Sequence, residues 1–127
     1  MNKRKTILAA IILVLVTGIG LSRSFANTAT PKGYVIAEIT VTDPVAYKQY
    51  ADTVLPIVTH FGGTYVVRGG KTVAVEGEQP SGRIVVIEFK SLAAASAFEN
   101  SPEYQAVLPL RHRSAQSRVF LVEGTQP

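Results

Sequence analysis

Two carboxylates and one arginine carry the strongest chemical signal in the chain. Glu38 and Glu88 fall within short β-branched runs, Tyr34 to Val41 and Arg83 to Phe89, at positions that alternation puts on one sheet face. Two carboxylates in a half-apolar cleft have their proton affinities pushed apart, as general acid–base work requires. Alternation groups Arg68 with Thr64 and Val66, and its guanidinium would balance that charge or grip an anionic substrate. Tyr34 adds a hydroxyl to the Glu38 and Glu88 face. The bland alternative is an ion pair between two subunits, fixing dimer register with no chemistry.

Other candidates follow from residue type and place. Tyr47, Tyr50 and Tyr104 lie on apolar helical stripes, where packing with a bonded hydroxyl is the ordinary role. Arg111 begins an Arg111-His112-Arg113 cluster, which reads either as an anion site or as a solvated helix face. Tyr47 and Arg111 join Arg68 and Tyr34 as ligand-binding candidates. His60 ends a helix and suits the negative end of its dipole. With two histidines and no cysteine, a metal site has little to stand on, whereas a haem would need only one histidine, so the cofactor stays open. Gly-x-Ser-x-Gly is absent, and Arg68-Gly69-Gly70-Lys71 joins two strand-like runs instead of opening a phosphate-binding helix.

The elements that must position these residues are legible in turn. Tyr34 to Val41 is a first strand. Asp43 caps and Pro44 opens a helix whose stripe is Tyr47, Tyr50, Ala51, Val54, Ile57, Val58 and Phe61. Pro56 should kink or split that helix, and Gly62-Gly63 ends it. Thr64 to Arg68 and Thr72 to Glu76 are strand-like runs around a Gly69-Gly70 turn. Arg83 to Phe89 is the most apolar strand. Ser91 caps a helix from Leu92 to Glu99, Ser101-Pro102 restarts one to about Ala115, and Arg118 to Glu123 is the last strand. If the runs around Gly69-Gly70 form one bent strand, the order is β-α-β-β-α-β, a ferredoxin-like α+β sandwich with an antiparallel sheet and helices on one face.

In that order the helices cover only one sheet face. Val35, Ala37, Ile39, Val85, Ile87 and Phe89 should meet them. The opposite set keeps Tyr34, Ile36, Ile84 and Val86, more apolar than a solvated face. A second copy of the sheet is the simplest cover, so a two-fold homodimer is expected.

At 127 residues, one domain is the natural size. Of 13 basic residues, Lys3, Arg4, Lys5 and Arg23 precede Asn27; nine remain against nine acidic ones. That balance lacks the basic face that nucleic-acid binding needs. Lys3-Arg4-Lys5, the apolar run Ile7 to Leu21 and the small residues Ser24 and Ala26 read as a secretory signal cleaved after Ala26. A membrane contact would arise only if this segment stayed uncleaved. The division is a signal over 1–26, a linker over 27–32 and the domain over 33–127, with a periplasmic or extracellular destination.

The residues from Gly33 to Gly124 resemble the domain-of-unknown-function 1330 family of the dimeric α+β barrel superfamily. The resemblance is carried by Tyr34-Val35-Ile36, Thr42-Asp43-Pro44, Tyr47, Tyr50, Gly62-Gly63 and Arg68-Gly69-Gly70. It continues in Val86-Ile87-Glu88-Phe89, Ser101-Pro102-Glu103-Tyr104 and Leu108-Pro109-Leu110-Arg111. It implies a ferredoxin-like fold dimerising face to face, with a small-molecule cleft under the sheet and no activity of its own. Two functions fit: an exported homodimer that binds a small molecule, or a cofactor-independent oxygenase or isomerase acting on a small, partly apolar carbonyl compound. In the second, Glu38 or Glu88 is the base, Arg68 the anion clamp and Tyr34 a hydrogen-bond donor.

Overall fold

The structure, a computed structural model, describes residues 28–127; the expected signal segment lies outside the described residues. The elements are β1 (Gly33–Val41), α1 (Pro44–His60), β2 (Thr64–Arg68), β3 (Arg83–Phe89), α2 (Leu92–Glu99), α3 (Pro102–Ser114) and β4 (Ala115–Glu123). The four strands form one sheet in the order β2-β3-β1-β4, and each neighbouring pair is antiparallel. With α2 and α3 as one broken crossover, this is the ferredoxin-like order.

Local chemistry sets the helix starts. The Asp43 carboxylate accepts from the Val45 and Ala46 amides, each at 3.1 Å, and Pro44 occupies the first turn, where no donor is lost. The Ser91 hydroxyl accepts from the Ala94 amide at 3.1 Å, and the Ser101 hydroxyl accepts from the Tyr104 amide at 3.2 Å. α1 runs unbroken through Pro56, so the helix is not split there. Pro56 lies on the exposed side, where water can satisfy the carbonyl its ring leaves free.

The core lies between the sheet and the helices. Val35, Ala37, Ile39, Val85, Ile87 and Phe89 are buried against Tyr47, Tyr50, Val54 and Val58 of α1, with Ala95, Phe98 and Tyr104 completing it. Phe98 links the helices to the sheet: its ring centroid is 5.4 Å from that of Phe89 and 4.5 Å from that of Tyr104.

Two expectations about the second strand fail. Thr72 to Glu76 is not a strand: β2 ends at Arg68 and a loop spans residues 69–82. β-Branched residues stabilise strands only when neighbours pack on them, and here Val73 and Val75 are exposed. Within β2, Tyr65 pairs with Ile87 but Val67 pairs with Val86, so Val66 is the extra residue of a β-bulge. The bulge moves Arg68 out of register with Thr64 and Val66. It stands opposite Val85, on the helix side, as Tyr65 does.

Candidate functional site

The sequence candidates divide between the two faces of the sheet. Tyr34, Glu38 and Glu88 are on the face turned away from the helices; Tyr47, Arg68 and Arg111 line a cleft between the sheet and the helices.

On the open face the carboxylates do not converge. Tyr34 stands opposite Glu88 and Glu38 opposite Ile84, so the two carboxylates are four strand positions apart, about 13 Å at the usual rise. Each is already engaged. Glu88 accepts from the Tyr34 hydroxyl at 3.2 Å and pairs with Lys32 at 3.2 Å. Glu38 accepts from the Ser81 hydroxyl at 2.7 Å and the Ser81 amide at 3.1 Å, with Arg118 at 3.6 Å. The Ser81 hydrogen bonds, with Arg118 beside them, hold the Glu38 carboxyl below its ordinary value, so it stays ionised. Partial burial and the Glu88 carboxylate push the Tyr34 hydroxyl up. Arg68, on the other face, reaches neither carboxylate.

The cleft is a different environment. Val35, Ala37, Ile39, Val85 and Ile87 form its floor, and α1 contributes Tyr47, Tyr50, Ala51 and Val54. Phe98, Glu99, Tyr104 and Arg111 close the helical end, while Tyr65, Arg68 and Arg83 enter from the strands. The empty space is ≈ 510 Å³ with the open mouth included. A compact ligand is favoured over an extended one.

Every cation of the cleft lies near an aromatic ring. The Arg68 guanidinium is 4.8 Å from the Tyr65 centroid, that of Arg83 is 5.4 Å from Tyr47, and that of Arg111 is 6.0 Å from Tyr104. Arg83 donates to the Arg68 carbonyl at 3.2 Å, and Arg68 to the Ala51 carbonyl at 3.4 Å. The Tyr50 and Tyr104 hydroxyls meet at 3.4 Å. Burial pushes the phenols of Tyr47, Tyr50 and Tyr104 up, and that of Tyr65 to about 12, so all four remain protonated donors at neutral pH.

Three polar atoms stand out. Arg83 Nε, Arg111 Nε and Glu99 Oε1 are buried and have no hydrogen-bond partner among the described residues. Arg111 is only 7% exposed, so the solvated-face reading of its cluster fails for this residue, whereas His112 and Arg113 are exposed. Burial raises the Glu99 carboxyl, against the opposing pull of the Arg111 charge. Groups of this kind are costly to leave unpaired, and in a cleft they are poised for an incoming polar partner.

Sequence reasoning missed Tyr65, Arg83 and Glu99. Arg83 had a signal: it shares alternation parity with Val85, Ile87 and Phe89, so a charge was due on the helix side. Tyr65 follows only once the helix-facing register of β2 is known, and Glu99 is an ordinary helix-terminal glutamate in the sequence. Among the described residues, no three His, Cys, Asp or Glu side chains are grouped so as to hold a metal ion.

Comparison with known proteins agrees with the fold. The family model for a domain of unknown function, DUF1330, matches residues 32–125. A protein of unknown function from Rhodopseudomonas palustris is 21% identical, with a TM-score of 0.59 over 80% of this chain and 88% of that one. A dimeric ferredoxin-like protein of unknown function from Thermobifida fusca is 11% identical, with a TM-score of 0.53 over 77% and 95% of the two chains. SnoaB, a cofactor-independent oxygenase from Streptomyces nogalater, is 12% identical, with a TM-score of 0.50 over 77% and 97%. No curated protein matches.

Proposed function

The chain belongs to the DUF1330 family, and from that premise we propose that it is an exported homodimer that binds a small molecule in the cleft between sheet and helices. The observation that carries the reading is the set of buried, unpartnered atoms, Arg83 Nε, Arg111 Nε and Glu99 Oε1, within an apolar-walled cleft. The dimer is supported by the open sheet face, where Ile36, Ile84 and Val86 continue into the exposed Val67, Phe120 and Val122. A fold neighbour described as dimeric agrees with it. Export rests on the Lys3-Arg4-Lys5 start, the apolar run after it and the small residues Ser24 and Ala26.

Native mass spectrometry of the protein purified from its own compartment tests all three parts. The expected species is a dimer of chains beginning at Asn27 and carrying extra mass. An empty dimer removes the ligand, a single-chain mass removes the dimer, and a chain beginning at Met1 removes the cleavage.

One observation favours an enzymatic variant of this reading. Glu99 lines the cleft, its buried Oε1 has no hydrogen-bond partner among the described residues, and burial raises the proton affinity of its carboxyl. It could take a proton from the carbon beside a carbonyl and return it at another carbon, an isomerisation with no net gain or loss of electrons. Glu99 then replaces Glu38 and Glu88 as the base, their oxygens being bonded on the opposite face. Glu99→Gln should abolish turnover of a small carbonyl substrate that the variant still binds; unchanged turnover removes Glu99 from the chemistry.

A further inference from the structure

We infer that the ligand of this cleft is a small monocarboxylate with a flat apolar body, its carboxylate held by Arg111 and Arg83. The inference rests on the cleft being the ligand site and adds its chemical class. Three guanidinium groups and one carboxyl line the same space, so the cleft carries surplus positive charge whichever form Glu99 takes. Among the described residues the ion pairs are Lys32–Glu88, Lys48–Asp52 and Arg118–Glu38, none of which draws on an arginine of the cleft. Arg111, the most buried of the three, has a free Nε, and so does Arg83. A guanidinium presents its donors in a planar fork that matches a carboxylate, and the pair is strongest where water is excluded.

The remaining wall selects the rest of the molecule. Val35, Ala37, Val54, Val85, Ile87 and Phe98 offer only apolar surface. Inorganic phosphate would leave that surface unused and would bring a second charge toward Glu99. A single negative charge on an apolar body uses both parts of the cleft. Its size is bounded by the volume of the cleft, which suits one ring or a short branched chain. The protonated phenols of Tyr47, Tyr50 and Tyr104 add donors for one further oxygen on the ligand.

Calorimetric titration of the purified protein with benzoate, benzamide and inorganic phosphate tests the inference. Benzoate should bind about tenfold or more tighter than benzamide, the difference of one charge-assisted contact, and phosphate should not compete. Arg111→Gln should weaken benzoate by about tenfold on the same argument. If that variant fails to fold, Arg83→Gln should weaken benzoate, and Glu99→Gln, which removes only the opposing charge, should tighten it. Equal binding of benzoate and benzamide overturns the carboxylate and leaves the cleft reading standing. Benzoate binding that none of the three variants alters puts the anion elsewhere and overturns the inference. Binding by neither aromatic compound also overturns it, and the native mass of the untreated protein then decides, independently, whether the cleft reading falls as well.

Discussion

Tyr65 and Arg68 are three residues apart on one strand, yet both side chains face the helices, and the guanidinium lies 4.8 Å from the ring centroid. Regular alternation would put them on opposite faces. Val66 is the reason: it and Val67 together stand opposite Val86, and the extra residue restores Arg68 to the helix side. Arg68→Ala should therefore cost about 0.5–1 kcal/mol, the worth of an exposed cation–π contact. Deleting Val66 removes the bulge but keeps Tyr65 opposite Ile87 and Arg68 opposite Val85, so the same substitution should cost as much in the shortened chain. Urea unfolding of the four proteins gives both numbers. A cost present in only one background means that the register of Arg68 against Val85 does not set the direction of its side chain.

The loop that follows makes one tight approach to neighbouring backbone. Gly82 has φ +79°, and a Cβ built on it would lie 2.2 Å from the Ile39 carbonyl oxygen, a backbone atom that cannot move aside. Gly77 has nearly the same angle, φ +76°, with nothing within 4 Å. Gly77→Ala should then cost only the conformational penalty, about 1–2 kcal/mol. Gly82→Ala adds the collision and should exceed about 3 kcal/mol, among the larger single-residue effects. Thermal or urea unfolding compares the two; equal costs would show that β1 yields to the added methyl.

Element order was legible because its signals are local. Asp43-Pro44, Ser91 and Ser101-Pro102 each mark a helix start by a side-chain cap that needs no tertiary contact. The parity of Val35, Ala37, Ile39, Val85, Ile87 and Phe89 likewise gave the buried face. What was not legible depends on partners distant in sequence. The extra residue in β2 is defined only by its register against β3, and Thr72 to Glu76 has strand-forming residues but no strand to join. The candidate site split for the same reason. Arg68 was grouped with the wrong face by unbroken alternation, and Arg111 is buried by tertiary packing that its polar neighbours conceal.

Glu99 links stability to pH in a definite direction. Burial raises its carboxyl in the folded state above the ordinary value of 4.5. Between that value and the folded one the native protein holds more protons than the unfolded chain, so this group's stabilising contribution is full at lower pH and is lost as pH rises through the window. Glu99→Gln cannot ionise and removes that loss. Urea midpoints of both proteins at stepped pH values from 4 upward should show the variant gaining on the wild type as pH rises. A gap that is constant, or that widens in favour of the wild type, contradicts the raised carboxyl.

Phe120 tests the proposed dimer most directly. It stands opposite Ile36 on the open face, with Val122 two residues on and opposite Tyr34, and it is 42% exposed in the single chain. Under two-fold symmetry both copies bury it, so a charge there is counted twice. Loss of a buried aromatic contact at about 1.5–3 kcal/mol per copy corresponds to roughly a hundredfold or more weakening of association. Phe120→Asp should give a one-chain mass by light scattering at concentrations where the wild type gives two. Its circular dichroism should be unchanged, because Phe120 is outside the core formed between sheet and helices. Val75→Asp is the control: Val75 is 97% exposed but lies in the loop, away from the sheet, so the dimer should persist. A Phe120→Asp protein that stays dimeric would move the interface off the open face. Loss of the dimer in Val75→Asp as well would bring the loop into it.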